Sequence, residues 1–139
     1  MIWHRNYTLE ELEAICKNTI HDVLGIRVTE IGADYLCAEM PVDRRTHQPA
    51  GILHGGASVV LAESLGSLAS SMVIDTNKFH CAGLDVNANH IRSISSGTVF
   101  GKVTPLHLGR TTHVWSIDII NEDGKRICFA RLTVAILSK

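Results

Sequence analysis

The sequence predicts an α+β fold, with one antiparallel β-sheet wrapped around one long apolar helix. Three observations lead there. From Ala57 to Ile74 the chain is almost unbrokenly apolar, with no proline, five serines and a single charge, Glu63. From residue 80 onward the pattern changes to alternation with period two, the mark of half-buried strands. Short polar turns separate those strands, so they are expected to pair antiparallel.

Each element follows in order. Residues 8–20 open on Thr8 with Glu11 three positions later, a capping-box pattern. Leu9, Leu12, Ile15 and Cys16 share one face, which predicts a short amphipathic helix ended by residues 21–25. Strands over about 26–31 and 35–40, joined by Gly32-Ala33-Asp34, predict a hairpin. A polar loop over 41–49 holds Arg44 and Arg45 and ends at Gln48-Pro49. The central helix is expected over about 55–74, and its apolar run 57–74 is roughly 27 Å long at 1.5 Å per residue. Being apolar all round, it should be buried all round, which makes Glu63 a costly buried carboxylate.

The late half reads as four strands in a meander. Residues 80–90 alternate, with Cys81, Gly83, Asp85, Asn87 and Asn89 on one side and Ala82, Leu84, Val86 and Ala88 on the other. A strand over 98–106 is interrupted at Pro105, and residues 107–110 form a connector. Strands over 112–120 and 126–137 flank Asp123-Gly124, where Gly supplies positive φ at little cost.

Composition narrows the function. A chain of 139 residues suits one domain, 1–139, with one core. Hydrophobic residues make up 45% and charged residues 19%, as in a globular protein. A net charge of −1 without basic blocks argues against nucleic acid as a partner. Cys16, Cys37, Cys81 and Cys128 show no CxxC spacing and sit among apolar residues. They read as buried free thiols in a reducing, cytoplasmic setting. The N-terminus lacks the apolar stretch of a signal peptide, and Glu63 with five serines argues against a membrane span over 57–74.

The segment Gln48-Pro49-x-Gly51-x-Leu53-His54-Gly55-Gly56, followed by Leu61-Ala62-Glu63 and Gly66-Ser67, resembles the hotdog-fold acyl-CoA thioesterases. It is most similar to the bacterial subgroup that contains the 1,4-dihydroxy-2-naphthoyl-CoA thioesterase of menaquinone biosynthesis and the proofreading thioesterase of enterobactin synthesis. Met1-Ile2-Trp3, Met40-Pro41-Val42-Asp43, Asn87-Ala88-Asn89-His90, Pro105-Leu106-His107-Leu108-Gly109-Arg110 and Arg131-Leu132-Thr133 extend the likeness over essentially the whole chain. The resemblance implies a hotdog subunit, a homodimer with a continuous sheet, pairing into a homotetramer, and active sites shared between subunits. It implies acyl-CoA as substrate, with an acyl carrier protein as the alternative thioester donor.

Thioester hydrolysis requires a polarised carbonyl, a nucleophile and a departing thiolate. Gly55 and Gly56 lie at the expected helix start, where backbone N–H groups and positive potential meet an anion. The Gly55 N–H with the Gln48 amide is the candidate oxyanion hole; the bland reading is that the glycines only permit tight helix packing. Glu63 is the candidate nucleophile or general base, and the sequence leaves that choice open. Ser67, four residues on, shares its face and either orients water or bonds its own backbone. His54 either orients Gln48 or the thioester, or caps the helix. The resemblance puts Gln48, His54 and Gly55 in one subunit and Glu63 and Ser67 in its neighbour.

By the same resemblance Gly83, His90, Ile91, Arg92, Ser93 and the stretch His107, Leu108, Gly109, Arg110, Thr111 and Thr112 border the CoA. Arg92 and Arg110 suit its phosphates, although a solvated charge at a strand end is the ordinary reading. Ala50 departs from the subgroup, whose near relatives carry a large aromatic there, so the acyl pocket is expected to be reshaped. Eight histidines show no zinc spacing, and no GxSxG, Rossmann or Walker pattern appears, so no metal and no cofactor are expected. Two competing readings are weaker. Hotdog 3-hydroxyacyl-thioester dehydratases pair the helix acid with a histidine further upstream, but Pro49 stands fourteen residues before Glu63 and His54 only nine. A non-catalytic acyl-CoA-binding module has no use for Glu63, Gln48 and Ser67 together.

Overall fold

Thr8 begins the first helix as its capping box requires, with the Glu11 N–H bonded to Thr8 Oγ1 and the Thr8 N–H bonded to the Glu11 carboxylate at 2.9 Å. The computed structural model describes all 139 residues. The helix, α1 (Leu9–Cys16), is shorter than the expected 8–20. Asn18 adopts φ 60°, a conformation Asn tolerates, and Thr19 caps a second helix, α2 (Ile20–Leu24). Leu12 alone of α1 is fully buried; Ile15, expected on the same buried face, is 59% exposed.

The strands are β1 (Arg27–Ile31), β2 (Leu36–Val42), β3 (Phe79–His90), β4 (Gly97–Leu108), β5 (Thr112–Ile120) and β6 (Arg126–Ser138), with α3 (Gly55–Val73) between β2 and β3. They form one six-stranded sheet in the order β1-β2-β4-β5-β6-β3, and all neighbours are antiparallel. The expected order of helices and strands holds, but the four-strand meander does not. Only β4-β5-β6 meander; β3 crosses over to the far edge and pairs with β6 along its whole length. Pro105 also fails to end β4. The register shifts between Pro105 and His107, which carries the strand past the residue lacking a donor, so His107 and Leu108 are strand rather than connector.

A second bulge changes the reading of β3. The register against β6 shifts between Gly83 and Asp85, leaving Leu84 as the extra residue. Phe79 and Cys81 pack toward the core before the bulge, Val86 and Ala88 after it. The simple odd-even division expected over residues 80–90 therefore breaks in the middle.

The core is one cluster of 26 buried side chains, most of them from α3 and the sheet strands. Leu61, Ala62, Leu65, Ala69 and Met72 supply the helix side, and Val99, Val103, Trp115, Ile117, Leu132 and Val134 the sheet side. α3 is not buried all round. Val59, Val60, Glu63, Ser64, Ser67, Leu68 and Ser71 form a half-exposed face. By length and hydropathy α3 resembles a membrane span, but half of that stretch is buried in the fold. The cysteines are free, and only Cys128 is buried; Cys16, Cys37 and Cys81 are half-buried.

Sequence reasoning missed a buried polar group in this core. Ser70 Oγ accepts from Trp115 Nε1 at 2.7 Å and lies 3.1 Å from His113 Nδ1. All three residues are at most 2% exposed. Ser70→Ala leaves two buried ring nitrogens short of a partner. It should lower stability by about 2 kcal/mol, read as a fall in urea midpoint at unchanged slope.

Burial holds both His113 and His21 below the ordinary imidazole value of 6.5, so the folded chain binds fewer protons than the unfolded chain in acid. The stability they provide is full above that value and is lost as pH falls below it. A melting temperature measured from pH 7.5 to 5 should fall, and His113→Phe should flatten the fall.

Candidate functional site

The loop before α3 is tied down on three sides. The Gln48 N–H donates to Ile52 O at 2.8 Å, Leu53 N–H to Ile94 O at 2.8 Å and His54 N–H to Thr46 O at 2.8 Å. These bonds fix where the helix begins. His54 is its N-cap, and His54 Nδ1 accepts from the Gly56 N–H at 2.8 Å. Capping is thus the role the fold gives His54. The carbonyl of His54 accepts from Ala57 and Ser58. The Gly55 N–H has no acceptor within the chain and remains at the positive end of a 19-residue helix.

Gln48 is oriented by its own loop. Its Oε1 accepts the Ala50 N–H, which leaves the side-chain NH2 free to donate. Gln48 and Gly55 border one cavity of about 310 Å³ together with His90, Ile91, Arg92 and Ser93. Six of the predicted residues are therefore brought together. His90 closes one wall, because a Cβ at Gly55 would stand 2.7 Å from His90 Nε2. Ile52, Leu53, Ser58 and Ile127 complete the lining; Leu53 lies within the motif, but no sequence signal marks the other three.

Glu63 and Ser67 lie elsewhere. They share a cleft of about 570 Å³ on the half-exposed face of α3 with Val60, Ser64, Leu68, Ser71 and Cys81. Eight residues of helix separate Glu63 from Gly55, a rise of roughly 12 Å. Glu63 is half-buried rather than enclosed, and no cation or donor within the chain pairs with it. Gly83 lies directly across from it, since a Cβ there would stand 2.7 Å from Glu63 Oε1. Ser67 does not return its hydroxyl to the helix; Ser71 does, donating to Ser67 O at 3.1 Å and lying 3.0 Å from Cys81 Sγ.

The stretch His107 to Thr112 is the β4-β5 hairpin, closed by the Gly109 N–H bonded to Thr112 O at 2.9 Å. Thr111 O accepts from the Ile136 N–H near the end of β6, whereas Ile127, beside His90, begins that strand. Within one chain the hairpin and the Gln48 cavity are thus at opposite ends of β6. Arg92 and Arg110 are both exposed and free of ion pairs. The histidines do not gather, and no group of three or more His, Cys, Asp or Glu side chains is placed to hold a metal ion.

The thioesterase superfamily profile matches residues 50–128, more than half of the chain. The chain belongs to the thioesterase superfamily. It is 51% identical to the 1,4-dihydroxy-2-naphthoyl-CoA hydrolase of Escherichia coli, over 99% of this chain and 100% of that protein. Among solved structures it is similar to a mutant thioesterase from Pseudomonas aeruginosa, 53% identical over 100% of both chains with a TM-score of 0.98. A thioesterase from Haemophilus influenzae is 46% identical over 99% of this chain and 96% of that one, with a TM-score of 0.96. The sheet around a central helix is the hotdog fold, and the chain is a thioester hydrolase of that superfamily.

For such an enzyme the close approach at Gly83 is a test of geometry. Gly83→Ala introduces a methyl group where the Glu63 carboxylate now lies. Gly83 is exposed and its backbone tolerates alanine, so the melting temperature should hardly change. With Glu63 in the catalytic role proposed below, the kcat for thioester hydrolysis should fall by about a hundredfold, as displaced reacting groups generally cost.

Proposed function

We propose that the chain hydrolyses acyl-CoA thioesters with aromatic or hydroxylated acyl groups, of the 1,4-dihydroxy-2-naphthoyl type, in a site shared by two copies of itself. The name of the Escherichia coli relative supports the acyl class. One observation carries the shared site: Gln48-Gly55 and Glu63-Ser67 occupy separate clefts of one chain, yet both border the unpaired edge strand β3. Glu63 sits at Gly83 and Gly55 sits at His90. Two copies of β3 paired antiparallel about Val86 and Asn87 set Gly83 of one opposite His90 of the other. Glu63 of one copy then faces Gly55 of its neighbour. A twelve-residue edge with one charge, Asp85, and no proline also carries few of the usual defences against pairing beyond its bulge at Leu84.

In that arrangement the Gly55 N–H and the Gln48 NH2 hold the thioester oxygen as negative charge develops on it. The Glu63 carboxylate either attacks the carbonyl carbon or takes a proton from the attacking water. After attack by Glu63 the carbon–sulfur bond breaks to leave an acyl anhydride on Glu63, which a water then hydrolyses to the free acid and the carboxylate; after attack by water the acid forms directly. In both routes the thiolate leaves as CoA and takes up the proton that the water gives up. Ser67, one turn from Glu63, positions the water or the carboxylate. Arg92 and Arg110, unpaired in the chain, meet CoA phosphates. The reaction needs no cofactor, and four free thiols suit the reducing cytoplasm.

Thiol release from a panel of acyl-CoAs tests the reaction. Glu63→Ala should lower kcat about a thousandfold or more, within the range that loss of a nucleophile or base generally costs. Release at the wild-type rate removes Glu63 from catalysis. The shared site is tested by mixing: Gln48→Ala and Glu63→Ala chains, each nearly inactive alone, should regain activity when co-expressed, because one site per mixed dimer is then intact. No recovery in a confirmed mixed dimer places both residues in one chain's site.

A further inference from the structure

The Glu63 cleft has two walls of unequal character. One is the half-exposed face of α3, with Val60, Glu63, Ser67 and Leu68. The other is the joint between α1 and α2, where Ile15, Thr19 and Ile20 face the same space. Ile15 and Ile20 are 59% and 51% exposed, two large aliphatic side chains outside the core at the rim of the cleft that holds the candidate catalytic acid. Their backbone is firmly placed. Leu12 is fully buried beneath α1, the Asn18 N–H donates to Asp22 Oδ2 at 2.5 Å, and His21 O accepts from the Ile26 N–H at 2.8 Å.

This wall contains no lysine or arginine, so it offers nothing to the phosphates of CoA. What it offers is apolar surface: Ile15 and Ile20 on one side, Val60 and Leu68 on the other. A cleft of about 570 Å³ is in the range that accepts a compact organic group. The wall also lies outside residues 50–128, the part matched by the superfamily as a whole. We infer that Ile15 and Ile20 are specificity-determining residues, forming the surface against which a planar aromatic acyl group packs while its carbonyl reaches Glu63. This rests on the thioesterase reading above and adds the side chains that select the acyl group.

The test compares wild type, Ile15→Ala/Ile20→Ala and Ile20→Trp on 2-naphthoyl-CoA and acetyl-CoA, following thiol release. The alanine pair removes the packing surface, and tryptophan fills the cleft. Both should lower kcat/KM for the naphthoyl thioester by about tenfold or more while acetyl-CoA hydrolysis stays near wild type. Equal losses on both thioesters, or no loss on either, overturn the inference. Titration of 2-naphthoate onto Glu63→Ala chains, followed by ligand fluorescence, reads the wall without the chemistry. The alanine pair should weaken that binding about tenfold, and an unchanged affinity overturns the inference. Wild type that releases thiol from no thioester refutes the hydrolase reading, and the titration still judges the wall.

Discussion

A single extra residue in β3 decides what the central helix meets. A strand with strict alternation presents either Gly83 or His90 to the helix side, because seven positions is an odd spacing. The bulge at Leu84 changes the parity between them, so both face α3. Gly83 then gives the Glu63 carboxylate room, and His90 closes the wall beside Gly55. The inward set on β6 is unaffected and continues through Val134, Leu132 and Ala130. The core stays intact while the edge strand is re-aimed.

The helix answers this geometry by dividing its polar residues. Its sheet face carries Ser70, which is tolerated at full burial because Trp115 and His113 meet it. Its open face carries Glu63, Ser64, Ser67 and Ser71, where burial is only partial. The same residue type therefore does two jobs, closing a core network on one side and lining a cleft on the other. Half-exposure also lowers the expected cost of Glu63, since water still reaches a carboxylate that has no partner in the chain.

Local signals in the sequence are legible where local chemistry decides. Thr8 and Glu11 cap α1, α3 lies within one residue of its expected span, and β5 and the turn over 121–125 fall where expected. Long-range choices were not legible. Nothing within residues 80–90 says that this strand joins β6 rather than β4, because both partners offer the same alternating surface. Pro105 reads as a stop, but the neighbouring bulge absorbs its missing donor. Five serines in α3 read as scattered until the helix is placed on the sheet. The site motif names Gln48, Gly55, Glu63 and Ser67, yet spacing alone cannot show that Gln48 and Glu63 line separate clefts. Ile15 departs from its expected burial for a related reason: helical periodicity says which residues share a face, not whether that face meets the core or a cleft.

The donors at the start of α3 show how the fold prepares a site before any ligand arrives. A helix leaves its first N–H groups without partners, and an uncommitted cluster would be solvated by water. Here His54 Nδ1 takes the Gly56 N–H, and His54 O takes those of Ala57 and Ser58. Only Gly55 is left to donate outward. The Ala50 N–H does the equivalent for Gln48 by occupying its carbonyl oxygen, so the amide presents its NH2. Two side chains that otherwise rotate freely are thus committed by bonds internal to the loop. Donors fixed in this way need no reorganisation when negative charge develops in front of them, and that is where hydrogen bonds contribute most to catalysis. In the proposed site that contribution depends as much on Ala50, Thr46 and His54, which set the direction of the loop, as on the Gln48 amide and the Gly55 N–H that border the cavity.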